Sequence, residues 1–160
     1  MNTILENYDQ MKYPTDLRMV FDAFEGKQKK FNWLLTNLEL HYEPEEILYN
    51  NSRTAAWITG EELTRIVYQY KIQFIWGVLS GFKKDITIDL DNLDVEPFAD
   101  GNRGFWIAAP QIQHPLATVE LVCWDSTLTL LLSKDEDLTD KFRRYFVGTE
   151  DLDQHNTKYL

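Results

Sequence analysis

The stretch LVCWDSTLTLLLSKDEDLTDKF, residues 121–142, decides how this chain is read. It places the chain's single cysteine beside an aspartate and a serine, so it reads as a reactive cluster or as a β-hairpin running into a helix. Asp125 and Ser126 are ordinary turn residues, because each side chain can bond the backbone beside it. A two-residue turn there sets Trp124 opposite Thr127 and Cys123 opposite Leu128, and further out Leu121 opposite Leu130 and Val119 opposite Leu132. Side chains alternate with period two, so that face is wholly apolar. A loop one residue longer would set Cys123 against Thr129 and Leu121 against Leu131, and the buried face therefore selects the shorter one. Cys123 is expected in the core. The other face joins Trp124 to Glu120, Val122, Thr127, Thr129 and Leu131, half apolar and half polar, and is expected to be covered by the chain's own helices. Beyond the hairpin, Ser133 and Glu136 have capping-box spacing, and Leu138, Phe142 and Tyr145 continue as a helical stripe ending near Gly148.

The alternative is chemistry. A catalytic thiol needs an electropositive, partly exposed setting and a base within reach, because the thiolate is the nucleophile. His114 is the one histidine near in sequence, so Cys123, His114 and Asp125 are the only trio that could serve a modest enzyme. Ser126 lacks the GxSxG elbow of a hydrolase nucleophile. Packing accounts for the stretch more simply, and no catalytic residue is assigned.

Outward from the hairpin, the segment DLRMVFDAFEG spaces Leu17, Val20, Phe21 and Phe24 helically, and Gly26 supplies a stop. FNWLLTNLELHY alternates in two halves, a strand with a break at Thr36 and Asn37. Pro44, Glu45 and Glu46 start a short helical turn, and Asn50, Asn51 and Ser52 read as a loop. Thr59 and Glu62 cap a helix whose stripe is Leu63, Ile66, Val67 and Tyr70. IQFIWGVLSGF is β-rich, and Gly77 and Gly81 mark a bulge or a close approach. Ile86, Ile88 and Leu90 alternate with Asp85, Thr87, Asp89 and Asp91 as in a strand with one wet face. Asp100 and Gly101 then turn the chain into a second aromatic strand. Together these elements predict one α+β domain over residues 1–160, a mainly antiparallel sheet packed by about three helices.

Composition narrows the function. Of 160 residues 44% are apolar and 14% aromatic, which is ample for a core, and the formal net charge is -10. Such a surface disfavours nucleic acid, whose phosphates need clustered Lys and Arg. No window reaches the roughly 18 apolar residues of a membrane span. The N-terminus lacks a signal-peptide pattern, and a lone cysteine forms no internal disulfide, so a cytoplasmic location is expected. The aspartates of DITIDLDNLD miss the calcium-loop pattern at Leu93 and Asp94, and His41, His114 and His155 have no zinc spacing. GNRG at 101–104 is too short for a phosphate loop. Neither metal nor cofactor is expected.

HPLATVELV and WDSTLTLLLSKDEDLTDKFRRYF, running to residue 146, resemble the C-terminal half of small uncharacterised bacterial proteins, some of which lie beside toxin and immunity genes. The resemblance covers about a third of the chain. It implies an acidic, single-domain, non-enzymatic binder and assigns no catalytic residue. The functional expectation is an interaction module, immunity-like, that occludes a basic protein partner. Trp106 and Trp124 are the candidate anchors, with Asp85, Asp89 and Asp91 on the wet strand face and Asp135, Glu136 and Asp137 at the helix start as the attracting charge. A small-molecule binder or modest enzyme with an aromatic pocket is the alternative.

Overall fold

The computed structural model describes residues 1–48 and 55–160. In chain order the elements are β1 (Thr3–Leu5), α1 (Leu17–Phe24), β2 (Phe31–Leu40), α2 (Glu45–Leu48), β3 (Ala55–Thr59), α3 (Gly60–Tyr70), β4 (Phe74–Lys83), β5 (Val119–Trp124), β6 (Leu128–Ser133), α4 (Glu136–Tyr145), β7 (Glu150–Asp151) and α5 (Leu152–Thr157). Among the described residues the strands form one sheet in the order β3-β2-β4-β5-β6-β1-β7, every neighbouring pair antiparallel. The α+β architecture with an antiparallel sheet is as expected. The loop expected at Asn50, Asn51 and Ser52 lies outside the described residues.

One face of the sheet is closed by helices. Asp16 caps α1 by accepting from the Arg18 N–H, and the helix ends where Glu25 and Gly26 turn left-handed. Leu17, Val20, Phe21 and Phe24 drive into a core shared with Leu63 and Ile66 of α3 and Phe142 of α4. Thr59 caps α3 through the Glu62 N–H at 3.2 Å, while Glu62 turns to Arg65 rather than back to the cap. The cap of α4 corrects the expected pairing of Ser133 with Glu136. Asp135 accepts from the Leu138 N–H at 3.0 Å, and Ser133 bonds Asp135 instead. Aspartate serves because its carboxylate also faces the positive end of the helix.

The hairpin register differs from the expected one. Cys123 stands opposite Thr129, Leu121 opposite Leu131 and Val119 opposite Ser133, around a three-residue loop. The selection rule needs one wet face, and here both faces are buried, so parity alone chooses nothing. Thr129 sits on the helix side at no cost because its hydroxyl donates to the Pro14 carbonyl at 2.8 Å. Cys123 is fully buried there all the same. Trp124 accordingly shares its face with Leu128, Leu130 and Leu132, not with Thr127, Thr129 and Leu131.

That second face is closed mainly by chain without strand or α-helix, with Leu152 of the short α5 packed at one end. Residues 84–118 cross the sheet as a strap whose regular structure is two short 3-10 turns, Leu90–Asn92 and Arg103–Phe105. Neither the strand expected over 85–96 nor the aromatic strand after Gly101 forms. Ile86, Ile88 and Leu90 still turn inward, onto a cluster containing Leu34 and Phe82, while the aspartates between them are exposed. The alternation is that of an extended segment lying on an apolar surface, without the ladder that would make it a strand. Trp124 is therefore covered by the strap, with Phe105 and Trp106 above it, and not by helices.

Candidate functional site

Where β2 breaks, Asn37 takes a left-handed φ of 51° and the register with β4 shifts between Thr36 and Glu39. The Thr36 hydroxyl and the Asn37 amide both donate to the Pro97 carbonyl, at 2.6 and 2.9 Å, which pins the strap to the break. Gly77 lies beside it on β4. Gly77 holds a φ of 153°, which other residues rarely adopt, and a Cβ there would also press on a methyl of Leu38 at 2.5 Å, so glycine suits the strand beside the bulge. The bulge and the pinned strap leave between them a cleft of about 530 Å³. Leu38, Glu39 and Trp76 form one side, and Glu96, Phe98 and Asp100 the other.

The cleft is aromatic and acidic. Trp76 packs edge to face on Trp124 at 4.9 Å, and Trp124 on Trp106 at 5.0 Å, so three indoles form a continuous run from the cleft across the strap side. Phe98 is 44% exposed at the rim. Glu39, Glu96 and Asp100 are all exposed, and among the described residues none of them enters an ion pair. An indole with carboxylates around it, on a chain of net charge -10, is complementary to a cation held over a ring face.

The far wall is held from below. Gln113 accepts from the Phe98 N–H and the Asn102 amide, both at 3.1 Å, and donates to the Phe98 carbonyl. Its backbone N–H and side-chain amide donate in turn to the two carboxylate oxygens of Glu120, at 2.8 and 3.1 Å. Glu120 lies on β5 and is fully buried. Burial pushes its carboxyl up to about 7, against the opposing pull of the bonds from Gln113.

Of the residues singled out from sequence, Trp106 and Trp124 do come together. The acidic ones do not join them. Asp89 is spent on its own turn, accepting from the Asp91 N–H and the Asn92 amide, which holds its carboxyl below the usual range. Asp85 and Asp91 are exposed on the strap, on no strand face. Asp135 and Asp137 both pair with Lys27, at 2.8 and 3.0 Å, on the helix side of the sheet, while Glu136 faces solvent. Glu39, Glu96 and Asp100, which line one cleft with Trp76, are spread over some 60 positions of sequence and share no spacing that would have linked them.

The Cys123, His114 and Asp125 trio does not assemble. Cys123 belongs to the helix-side core, whereas His114 packs edge-on against Phe82 on the strap side, so the sheet lies between them. Burial pushes the thiol far above its usual range and the imidazole down, the latter against the pull of Asp94. Among the described residues no group of three or more His, Cys, Asp or Glu could hold a metal ion, and no helix is long and apolar enough to cross a membrane. No protein-family model matches the sequence, and no curated protein or solved structure matches it.

Proposed function

We propose that the protein is a binding module whose acidic, aromatic cleft takes an arginine-bearing segment of a basic protein partner, in the manner of an immunity protein that occludes its target. The observation that carries this reading is that three carboxylate residues without an ion pair among the described residues, Glu39, Glu96 and Asp100, line one cleft with Trp76. A guanidinium stacks on an aromatic face and offers a planar fork to carboxylates, so arginine satisfies both features at once. The surrounding negative charge raises the encounter rate with a basic surface and makes it salt-dependent. Trp106 and Trp124 act behind Trp76 as its packing support. The thiol and imidazole lie on opposite sides of the sheet, which favours this reading over one that uses Cys123, His114 and Asp125 together.

A short arginine-rich peptide, titrated against the intact protein by calorimetry and by tryptophan fluorescence, tests the reading. Binding is expected to weaken severalfold between 50 and 300 mM salt, figures on the order of those at which screening sets in. It is also expected to fall about tenfold or more in Glu39→Gln/Glu96→Gln/Asp100→Asn. Asp135→Asn, on the helix side, should leave it unchanged. Equal binding by the triple variant, or by a neutral peptide, sinks the proposal. Tighter binding of free arginine than of the peptide would turn it toward a small cationic ligand.

A further inference from the structure

We propose that Glu120 and Gln113 form a proton-sensitive clamp that sets the position of the cleft wall Phe98–Asn102. The connection is short and continuous. Glu120 receives two hydrogen bonds from Gln113, and Gln113 makes three with Phe98 and Asn102, between which Asp100 projects into the cleft. Asn102 closes the same turn by donating to the Phe98 carbonyl at 2.9 Å and, through its backbone N–H, to Ala99 at 2.9 Å. A fully buried carboxyl is thus two residues' reach from an exposed binding wall.

The surroundings of Glu120 suit its two protonation states differently, because the groups that bond its carboxyl are both donors. Ser80 is its cross-strand neighbour on β4, and the Ser80 hydroxyl is buried without a hydrogen-bond partner. On β6 the neighbour is Leu132. No charged group among the described residues bears on the ionisation of Glu120; desolvation and the bonds from Gln113 set it. The titratable group next along the strap is His114, which Asp94 influences in turn. When ionised, Glu120 accepts from Gln113 through charge-assisted bonds, roughly twice as strong as neutral ones. When protonated, it accepts more weakly, and one of its oxygens becomes a donor with no acceptor to meet on Gln113, whose N–H groups both donate to it. Acidification therefore loosens the wall while the rest of the fold is kept.

The consequence for binding rests on the cleft being the binding site, but the test needs no partner. Amide exchange and amide shifts of the free protein are followed from pH 5.5 to 8.5, a range of about three units centred near neutrality, together with the carbon shift of the Glu120 side-chain carboxyl. After correction for intrinsic exchange, protection of the Phe98 and Gln113 amides is expected to fall about tenfold on acidification, in step with the Glu120 carboxyl. Glu120→Gln should remove the transition and His114→Asn should keep it. If Glu120→Gln does not fold, the carboxyl and amide titrations of the wild type decide alone, because they must share one midpoint. A Glu120 carboxyl that titrates in the ordinary range, or a transition that vanishes in His114→Asn and survives in Glu120→Gln, overturns the clamp. Failure of the arginine peptide to bind would sink the cleft's proposed role and leave these amide measurements untouched.

Discussion

The two faces of the sheet are closed by different means, and the difference explains where function can reside. On the helix side the backbone of α1, α3 and α4 satisfies itself, and buried hydroxyls such as those of Thr64, Thr129 and Thr139 donate to backbone carbonyls within the apolar core. On the strap side residues 84–118 lack a ladder, and their polar groups are met by side chains instead: Thr36 and Asn37 on Pro97, Gln113 on Phe98, Glu120 on Gln113. A connection this long without regular structure is uncommon in a compact domain and is more often a binding loop than a spacer. The strap side consequently holds the buried carboxyl of Glu120, a run of three tryptophans and the cleft, whereas the helix side holds bulk.

The largest test of this contrast is truncation on either side. Phe24, fully buried between α1, α4 and the sheet, is expected to cost about 3–5 kcal/mol as Phe24→Ala. Trp106, half-buried on the strap, is expected to cost about 1.5 kcal/mol as Trp106→Ala despite its greater size. Denaturant unfolding measures both. Equal losses would mean that the strap is as integral to the core as the helices, and the distinction between the faces would fail.

A second test uses pH. The Glu120 carboxyl is pushed up to about 7 in the folded protein from an ordinary 4.5, so its contribution to stability is full below pH 4.5 and is lost as pH rises toward 7. The loss amounts to about 3 kcal/mol at most. His114 works in the opposite sense: burial lowers its pKa, so its contribution is present above 6.5 and declines on acidification. The two overlap, and the wild-type curve alone would blend them. The gap between wild type and Glu120→Gln isolates the carboxyl, and the wild type should lose ground steadily between pH 5 and 7.5, about the interval between its unfolded and folded values. A gap independent of pH would show that Glu120 ionises as freely inside the fold as outside it.

The same contrast governs what could be read from the sequence. Helix-side features were legible because each is local: the stripe of α1, the Thr59 cap and the stripe of α4; so was the break of β2 at Thr36 and Asn37. The strap was misread because an extended segment on an apolar surface has a strand's alternation at Ile86, Ile88 and Leu90 without its hydrogen bonds. Strand β3, only Ala55–Thr59, carries too little pattern to stand out. For the cleft, Asn37, Gly77 and the Asp100–Gly101 turn were each visible as backbone exceptions. Their meeting depends on the β2–β4 register and on Pro97 reaching Thr36, which no local window contains.

The smallest effect concerns the hairpin between these faces. Asp125 and Ser126 both hold left-handed φ values, 48° and 57°, a conformation that costs most residues and costs glycine nothing. Ser126 is tied there, its N–H donating to the Ile75 carbonyl at 2.9 Å and its hydroxyl accepting from Gln73 at 3.0 Å. Asp125 is exposed. Asp125→Gly should therefore stabilise the protein by about 0.5 kcal/mol at most, since the strain relieved is partly offset by the greater freedom of glycine in the unfolded chain. Ser126→Gly should not, because it gives up the bond to Gln73. Thermal unfolding of the two variants distinguishes them. Were Ser126→Gly the more stable, the bond from Gln73 to the hydroxyl would add nothing to the loop, and the backbone N–H of residue 126 on Ile75 would be the tie to β4 that holds the register where parity between two buried faces does not.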